Sequence, residues 1–127
     1  MEKIKLLLVE DDLFIRELYE HALRKAGFEV ISAVDGQDAL TKVLENPALV
    51  LLDIMLPKIH GIDVLKKLKA DERTKDIPVV MLTNLGQESI IKEAFKLGAL
   101  GYLLKMQITP SGLTQNVKKY LSDLGKI

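Results

Sequence analysis

The sequence predicts an α/β fold, (βα)5, in which five parallel strands form an open, doubly wound sheet with helices on both faces. Two kinds of segment alternate five times along the 127 residues: short apolar runs, and longer stretches whose apolar residues recur three and four positions apart. The first pattern is typical of buried strands and the second of amphipathic helices. Strands joined through crossover helices must run parallel, and right-handed crossovers place helices on both faces of the sheet.

The five predicted strands differ in how completely apolar they are. The first and third are almost continuous Leu and Val, which is typical of central strands buried on both faces of a parallel sheet. The second includes Glu29 and Ser32 and therefore suits an edge position. The predicted strands are Ile4–Val9, Phe28–Ala33, Leu49–Leu52, Ile77–Leu82 and Leu100–Leu104.

The predicted helices begin and end at residues that are typical of helix termini. Asp or Thr before a helix caps its free N–H groups, Pro fits the first turn, and Gly ends a helix in the left-handed conformation. A turn is predicted at Asp35-Gly36. The other termini are marked by Asp12 and Gly27 around the first helix, Gly98 after the fourth, and Thr109 with Pro110 before the fifth.

Composition predicts one soluble domain, residues 1–127, and excludes several classes of function. A chain of this length buries about two thirds of its unfolded surface and holds a core without covalent cross-links. It contains no cysteine, which excludes disulfides and thiolate metal sites, and its 18 basic residues are matched by 18 acidic ones. This balance argues against direct binding to nucleic acid or to an anionic membrane. The apolar runs fall far short of the roughly 18 residues that span a bilayer, so we expect a cytoplasmic location.

Acidic, hydroxyl and basic side chains follow four of the predicted strands, at the carboxyl edge where such sheets form their sites. Glu10 and Asp11 follow the first strand, Asp53 the third, Thr83 the fourth and Lys105 the fifth. Carboxylates this close repel one another unless a cation lies between them, and oxygen ligands favour Mg²⁺ or Mn²⁺. Three carboxylates, one lysine and a divalent ion sum to zero charge. Such a site accepts a phosphoryl group, with Asp53 as the candidate nucleophile.

Four segments resemble the receiver domain of two-component response regulators, and the resemblance extends over essentially the whole chain. It implies a flavodoxin-like sheet of strand order 2-1-3-4-5. It also implies that Asp53 is the phosphoacceptor, and that Mg²⁺ is held by Glu10, Asp11, Asp53 and the backbone carbonyl of Met55. The four segments are LLLVEDD, LVLLDIMLPKIHG, VVMLTN and GALGYLLK.

The same resemblance implies how phosphate is received and read out. A histidine kinase or a histidine phosphotransfer protein donates the phosphoryl group, Lys105 assists the transfer, and the domain is a signalling phosphoacceptor rather than an enzyme. Thr83 then moves towards the phosphoryl group and Tyr102 turns into the space that it leaves, which biases a two-state surface. That surface would bind a downstream protein or an attached output domain, as a monomer or a phosphorylation-linked dimer. Plain packing of Tyr102 in the core is the alternative.

Met106 and His60 depart from the usual pattern of receiver domains. Met106 follows Lys105, where a proline with a cis peptide bond is usual. His60 stands where an acidic or amide residue is common, and we interpret it as a loop residue without a role in the site.

Apolar residues occur around the acidic rim, at positions where polar residues are expected. We expect several of them, Phe14 and Met106 in particular, to form a docking surface for the helices of the phosphodonor. The alternative is that Leu56 and Ile108 turn inward to close their loops. The apolar residues are Leu13, Phe14, Leu56, Met106 and Ile108.

Three other functions share parts of this pattern. A flavin-binding protein of the same fold needs a hydroxyl- and glycine-rich phosphate loop after the first strand, where these acidic residues would repel a phosphate. An aspartyl-phosphate phosphatase would carry a second Asp two residues after its nucleophile, where Met55 stands. The remaining alternative is a pseudo-receiver, a protein-interaction module that keeps the fold without phosphorylation. The presence of Asp53 and Lys105 argues against it.

Overall fold

The computed structural model describes residues 3–84, 88–105 and 107–127. Within these residues the chain forms a five-stranded parallel sheet of order β2-β1-β3-β4-β5, which confirms the predicted architecture and strand order. The strands are β1 Lys5–Val9, β2 Glu29–Ala33, β3 Leu49–Asp53, β4 Val79–Thr83 and β5 Gly101–Leu104. The helices are α1 Leu13–Lys25, α2 Gly36–Lys42, α3 Gly61–Ala70, α4 Glu88–Lys96 and α5 Pro110–Asp123, and a 3-10 turn at Val43–Glu45 follows α2.

The central strands are buried on both faces because their residues alternate between two cores. In β1, Leu7 and Val9 pack against residues of α2, α3 and α4, whereas Leu6 and Leu8 pack against residues of α1 and α5. All four side chains are fully buried. Successive side chains of a strand point to opposite faces, so a strand covered on both faces has to be apolar throughout. None of the described helices is both long enough and apolar enough to cross a membrane.

The predicted helix termini are confirmed at α1, α4 and α5. The Asp12 carboxylate accepts a hydrogen bond from the Ile15 N–H at 2.9 Å, and the Thr109 hydroxyl accepts one from the Gly112 N–H at 2.9 Å. Gly27 follows α1 with a φ of 99° and Gly98 follows α4 with a φ of 102°. A residue with a side chain rarely adopts such angles, which explains why glycine ends both helices.

The start of α2 differs from the turn predicted at Asp35-Gly36. Asp35 is a helix cap, and its carboxylate accepts a hydrogen bond from the Asp38 N–H at 2.7 Å. This hydrogen bond, together with Lys58, holds the pKa of the Asp35 carboxyl below its usual value. Gly36 is the first helical residue, and a Cβ there would lie 2.5 Å from the carbonyl oxygen of Ile59. The two residues therefore fit α2 closely against the loop that leaves β3.

The start of α3 lies directly against the end of β3. His60 is the cap of this helix, and its ring Nδ1 accepts a hydrogen bond from the Ile62 N–H at 3.2 Å. Our interpretation of His60 as a loop residue without a role therefore missed a structural one. A Cβ on Gly61 would lie 2.3 Å from the carbonyl oxygen of Asp53, so only glycine allows this approach. The contact holds the end of β3, and with it Asp53, in a defined position.

Candidate functional site

The carboxyl ends of the central strands bring the predicted site residues together. Where β1, β3, β4 and β5 are neighbours, they end within one residue of each other in register. Glu10 directly follows β1, Asp53 and Thr83 are the last residues of β3 and β4, and Lys105 directly follows β5. The geometry is the one that the sequence pattern predicts for a parallel sheet with level ends.

A single ammonium group joins two buried carboxylates at the centre of this edge. Nζ of Lys105 lies 2.6 Å from Oε1 of Glu10 and 3.0 Å from Oδ2 of Asp53. The side chains are 9% exposed for Lys105, 0% for Glu10 and 3% for Asp53. Water cannot screen charges that are covered to this degree, so the three groups interact strongly.

Glu10 is the least stabilised of these charged groups. Neither of its carboxylate oxygens has a hydrogen-bond partner of good geometry among the described residues, so the 2.6 Å contact with Lys105 is an ion pair of poor hydrogen-bond alignment. Burial raises the pKa of the Glu10 carboxyl to about 8, the neighbouring Asp53 adds to this rise, and Lys105 opposes it. Burial alone would lower the pKa of Lys105, but the carboxylates of Glu10 and Asp53 outweigh it and raise that pKa.

Asp53 is held through both of its carboxylate oxygens. Oδ2 accepts a hydrogen bond from Lys105, and Oδ1 accepts one from the backbone N–H of Met55 at 3.2 Å. The Met55 side chain itself is exposed. Thr83, at the end of the neighbouring strand, is buried, and its hydroxyl donates to the Asn84 carbonyl at 3.2 Å. The orientation of the Asp53 carboxylate is thus set by the backbone on one side and by Lys105 on the other.

Three carboxylates are close enough to share one cation. Glu10, Asp11 and Asp53 each offer a carboxylate oxygen, and these oxygens lie within 4.8 Å of one another. Asp11 is exposed, whereas Glu10 and Asp53 are buried, so the cluster opens to solvent on the Asp11 side. A divalent ion with oxygen ligands at about 2.0–2.6 Å fits such a cluster.

Arg16 supports the acidic loop, and the sequence analysis did not identify it. Its Nη1 donates to the carbonyl oxygen of Glu10 at 3.0 Å and to that of Asp11 at 3.2 Å. Arg16 lies on the first turns of α1, so the helix that follows the acidic pair also fixes the backbone of that pair. The available signal was a long basic side chain five and six residues after two acidic ones, which is too common to single out a function.

Tyr102 is not part of the core. Its side chain is 42% exposed on the edge strand β5, and its ring contacts Phe95 of α4 edge-to-face with a centroid distance of 6.2 Å. The alternative of plain core packing for Tyr102 is therefore wrong. The ring lies on the outer surface between β5 and α4, so a change of its position would alter the shape of that surface.

The apolar residues around the rim divide into two groups. Phe14 and Leu13 are exposed, at 75% and 59%. Leu56 and Ile108 pack against the two cores, as the alternative reading of these residues expected. Met106 lies outside the described residues. The Lys105–Met106 peptide bond, at the position where receiver domains usually have a cis proline, therefore lies outside them as well. Of the described members of this set, the exposed ones are thus the first residues of α1.

Comparison with known proteins agrees with this arrangement. Residues 6–118 match the family model described as the response regulator receiver domain. The DNA-binding dual master transcriptional regulator RpaA of Synechocystis is 46% identical over 102 residues, which cover 80% of this chain and 42% of that protein. The chain spans about half the length of the curated relatives that it matches.

Two solved structures are similar along nearly the whole chain. The Mn²⁺-bound form of the response regulator Rcp1 is 30% identical with a TM-score of 0.79, covering 91% of this chain and 92% of that one. The phosphorylated cyanobacterial phytochrome response regulator RcpA is 33% identical with a TM-score of 0.80, covering 94% and 92%. Since the family pattern extends from β1 into α5 and its acidic residues and lysine meet at one edge of the sheet, the chain belongs to the response regulator receiver domains.

Proposed function

We propose that this chain is the phosphoacceptor of a two-component phosphorelay, and that it receives a phosphoryl group on Asp53 from a histidine kinase or a histidine phosphotransfer protein. The observation that carries the proposal is the environment of the Asp53 carboxylate. It is buried, held at 3.0 Å by Lys105 and at 3.2 Å by the Met55 N–H, and lies beside two further carboxylates. A phosphorylated relative of similar structure supports the same role here.

The residues at this edge fit a Mg²⁺ or Mn²⁺ ion. The buried carboxylate of Glu10 lacks hydrogen-bond partners of good geometry among the described residues, and the donors of the cluster are oxygens, which hard divalent ions prefer. Glu10, Asp11 and Asp53 would hold the ion, together with the backbone carbonyl of Met55. When bound, the ion supplies the positive charge that offsets the three carboxylates and lets an anionic phosphoryl group approach. The Mn²⁺-bound relative supports this assignment.

The chain's own residues then account for the transfer. A carboxylate oxygen of Asp53 forms the bond to phosphorus while the bond from phosphorus to the donor's histidine nitrogen breaks. The ammonium group of Lys105 is already beside Asp53 and pairs with an oxygen of the new phosphoryl group, which weakens its contact with Glu10. The buried hydroxyl of Thr83, on the adjacent strand, would exchange its hydrogen bond to the Asn84 carbonyl for one to that group.

The output of the switch is proposed to lie at Tyr102. Movement of Thr83 towards the phosphoryl group would change the space behind β5, and the exposed ring of Tyr102 beside Phe95 would change position with it. The target is either an attached output domain or a separate protein, since the matched relatives are about twice as long. Because its basic and acidic residues are equal in number, this domain is not expected to bind DNA itself, and any DNA contact would be made by such a partner. The domain is proposed to act in the cytoplasm, as a monomer or as a phosphorylation-linked dimer.

Formation of the phosphoprotein tests the central assignment. Intact mass after incubation with a small-molecule phosphodonor and Mg²⁺ is expected to rise by one phosphoryl group. Asp53→Asn should abolish this adduct, whereas Asp63→Asn, a change of an exposed carboxylate on α3, should leave it unchanged. An unmodified parent protein that also fails to bind Mg²⁺ by titration would contradict the proposal and favour the pseudo-receiver.

Glu10→Gln is expected to change how stability depends on pH. A carboxyl group whose pKa is about 8 in the folded protein and 4.5 in the unfolded chain costs stability as pH rises between these values. Without metal, the parent should therefore lose about 3 to 4 kcal/mol of unfolding free energy relative to the variant between pH 5 and pH 8.

Denaturant unfolding at the two pH values measures this difference. Added Mg²⁺ should stabilise the parent more than the variant at pH 8, because the ion offsets the negative charge of the Glu10 carboxylate, which the variant lacks. A parent and a variant with the same pH dependence, in the absence of metal, would show that Glu10 is not under electrostatic strain.

Phe14 is proposed to contact the phosphodonor protein, since it is 75% exposed at the start of the helix that follows the acidic pair. Phe14→Ala should slow phosphotransfer from a donor protein at least about tenfold, the effect of losing one buried aromatic anchor. Its rate with a small-molecule donor should not change. Leu44→Ala, which removes an exposed apolar side chain after α2, is the matched control. Equal rates for both variants with the donor protein would remove Phe14 from the docking surface.

A further inference from the structure

Tyr19 is a buried tyrosine whose hydroxyl reaches the lysine of the site. It lies on α1 with 3% of its surface exposed, and its ring packs in the core between the sheet, α1 and α5. Its hydroxyl donates a hydrogen bond to the backbone carbonyl of Lys105 at 3.4 Å. The contact joins residues 86 positions apart in the sequence.

Lys105 is held through its backbone from two sides. Its N–H donates to the carbonyl of Thr83 at 2.8 Å, so β4 holds the amide, while Tyr19 of α1 holds the carbonyl. β5 ends at Leu104, one residue before Lys105. The hydrogen bond from Tyr19 of α1 therefore restrains Lys105 at the point where β5 has ended.

The hydroxyl of Tyr19 is suited to remain a donor. Burial raises the pKa of this tyrosine, and the charges of Lys105, Glu10 and Asp53 act on it as well. It thus stays protonated throughout the neutral range. The hydrogen bond is part-buried, and a carbonyl there that loses its donor without gaining water in exchange costs free energy.

We propose that Tyr19 is a positioning residue for the phosphoacceptor site. Its hydrogen bond to the Lys105 carbonyl fixes the backbone from which the Lys105 side chain extends, and so keeps Nζ within 2.6 Å of Glu10 and 3.0 Å of Asp53. The inference rests on the proposed function, because the position of Nζ sets how readily Asp53 gains its phosphoryl group. Tyr19 does not itself touch the reacting atoms.

Tyr19→Phe tests the role because it removes the hydroxyl and keeps the ring. The rate of phosphorylation by a small-molecule donor with Mg²⁺ should fall about threefold to tenfold, the factor expected for the loss of one neutral hydrogen bond. Tyr120→Phe is the matched control, since Tyr120 is a half-buried tyrosine of α5 that packs against the same core. It should react like the parent. Thermal melting curves check that the parent and both variants are folded at the temperature at which the rates are measured.

A structural readout separates this role from a general loss of packing. The NMR resonances of the Lys105 carbonyl carbon and of its side-chain ε-methylene should shift in Tyr19→Phe and stay unchanged in Tyr120→Phe. A Tyr19→Phe rate equal to that of the parent, or equal slowing in both variants without a shift at Lys105, overturns the proposal. If the parent itself accepts no phosphate, the proposed function fails. Unshifted Lys105 resonances in Tyr19→Phe would then overturn the positioning role as well, and shifted ones would support it.

Discussion

The ion pair of Lys105 with Glu10 and Asp53 is the interaction on which the rest of the site depends. A carboxylate buried without a partner is costly, and one ammonium group cannot fully compensate two of them. The fully ionised cluster therefore carries an excess of negative charge, which a proton on Glu10 relieves below its pKa of about 8. A divalent cation removes that excess, and an arriving phosphoryl group then competes with the carboxylates for Lys105. In the proposed function, metal binding, phosphoryl acceptance and movement of the lysine thus all follow from one charge imbalance.

Much of this arrangement follows from the sequence. The (βα)5 order, the edge position of β2 and the caps at Asp12 and Thr109 depend on local patterns, and local patterns were sufficient to predict them. The convergence of Glu10, Asp53 and Lys105 follows from the level ends of parallel strands. The strand order itself came from the resemblance to receiver domains, because periodicity alone does not say which strands are neighbours.

Other features depend on contacts that no local pattern reports. His60 caps α3 through a ring nitrogen, an unusual group for that position. Asp35 caps α2 through its carboxylate, and Gly36 packs against the loop after β3. Arg16 and Tyr19 carry no distinctive sequence signal, yet both reach backbone carbonyls beside the charged cluster. All four residues hold helix starts or loops that flank the site, so the sequence revealed the charged groups of the site more readily than the groups that hold them in place.

The charge imbalance at Glu10 can be measured directly by following the ¹³C chemical shift of its side-chain carboxyl during a pH titration, with and without saturating Mg²⁺. The account predicts a midpoint near pH 8 in the absence of metal, because burial raises the pKa of this carboxyl to about 8. With Mg²⁺ bound, the midpoint should fall by more than about two pH units, because the bound ion favours the ionised form. A midpoint near the ordinary value of 4.5 under both conditions would contradict the account, since Glu10 would then need no cation to remain charged.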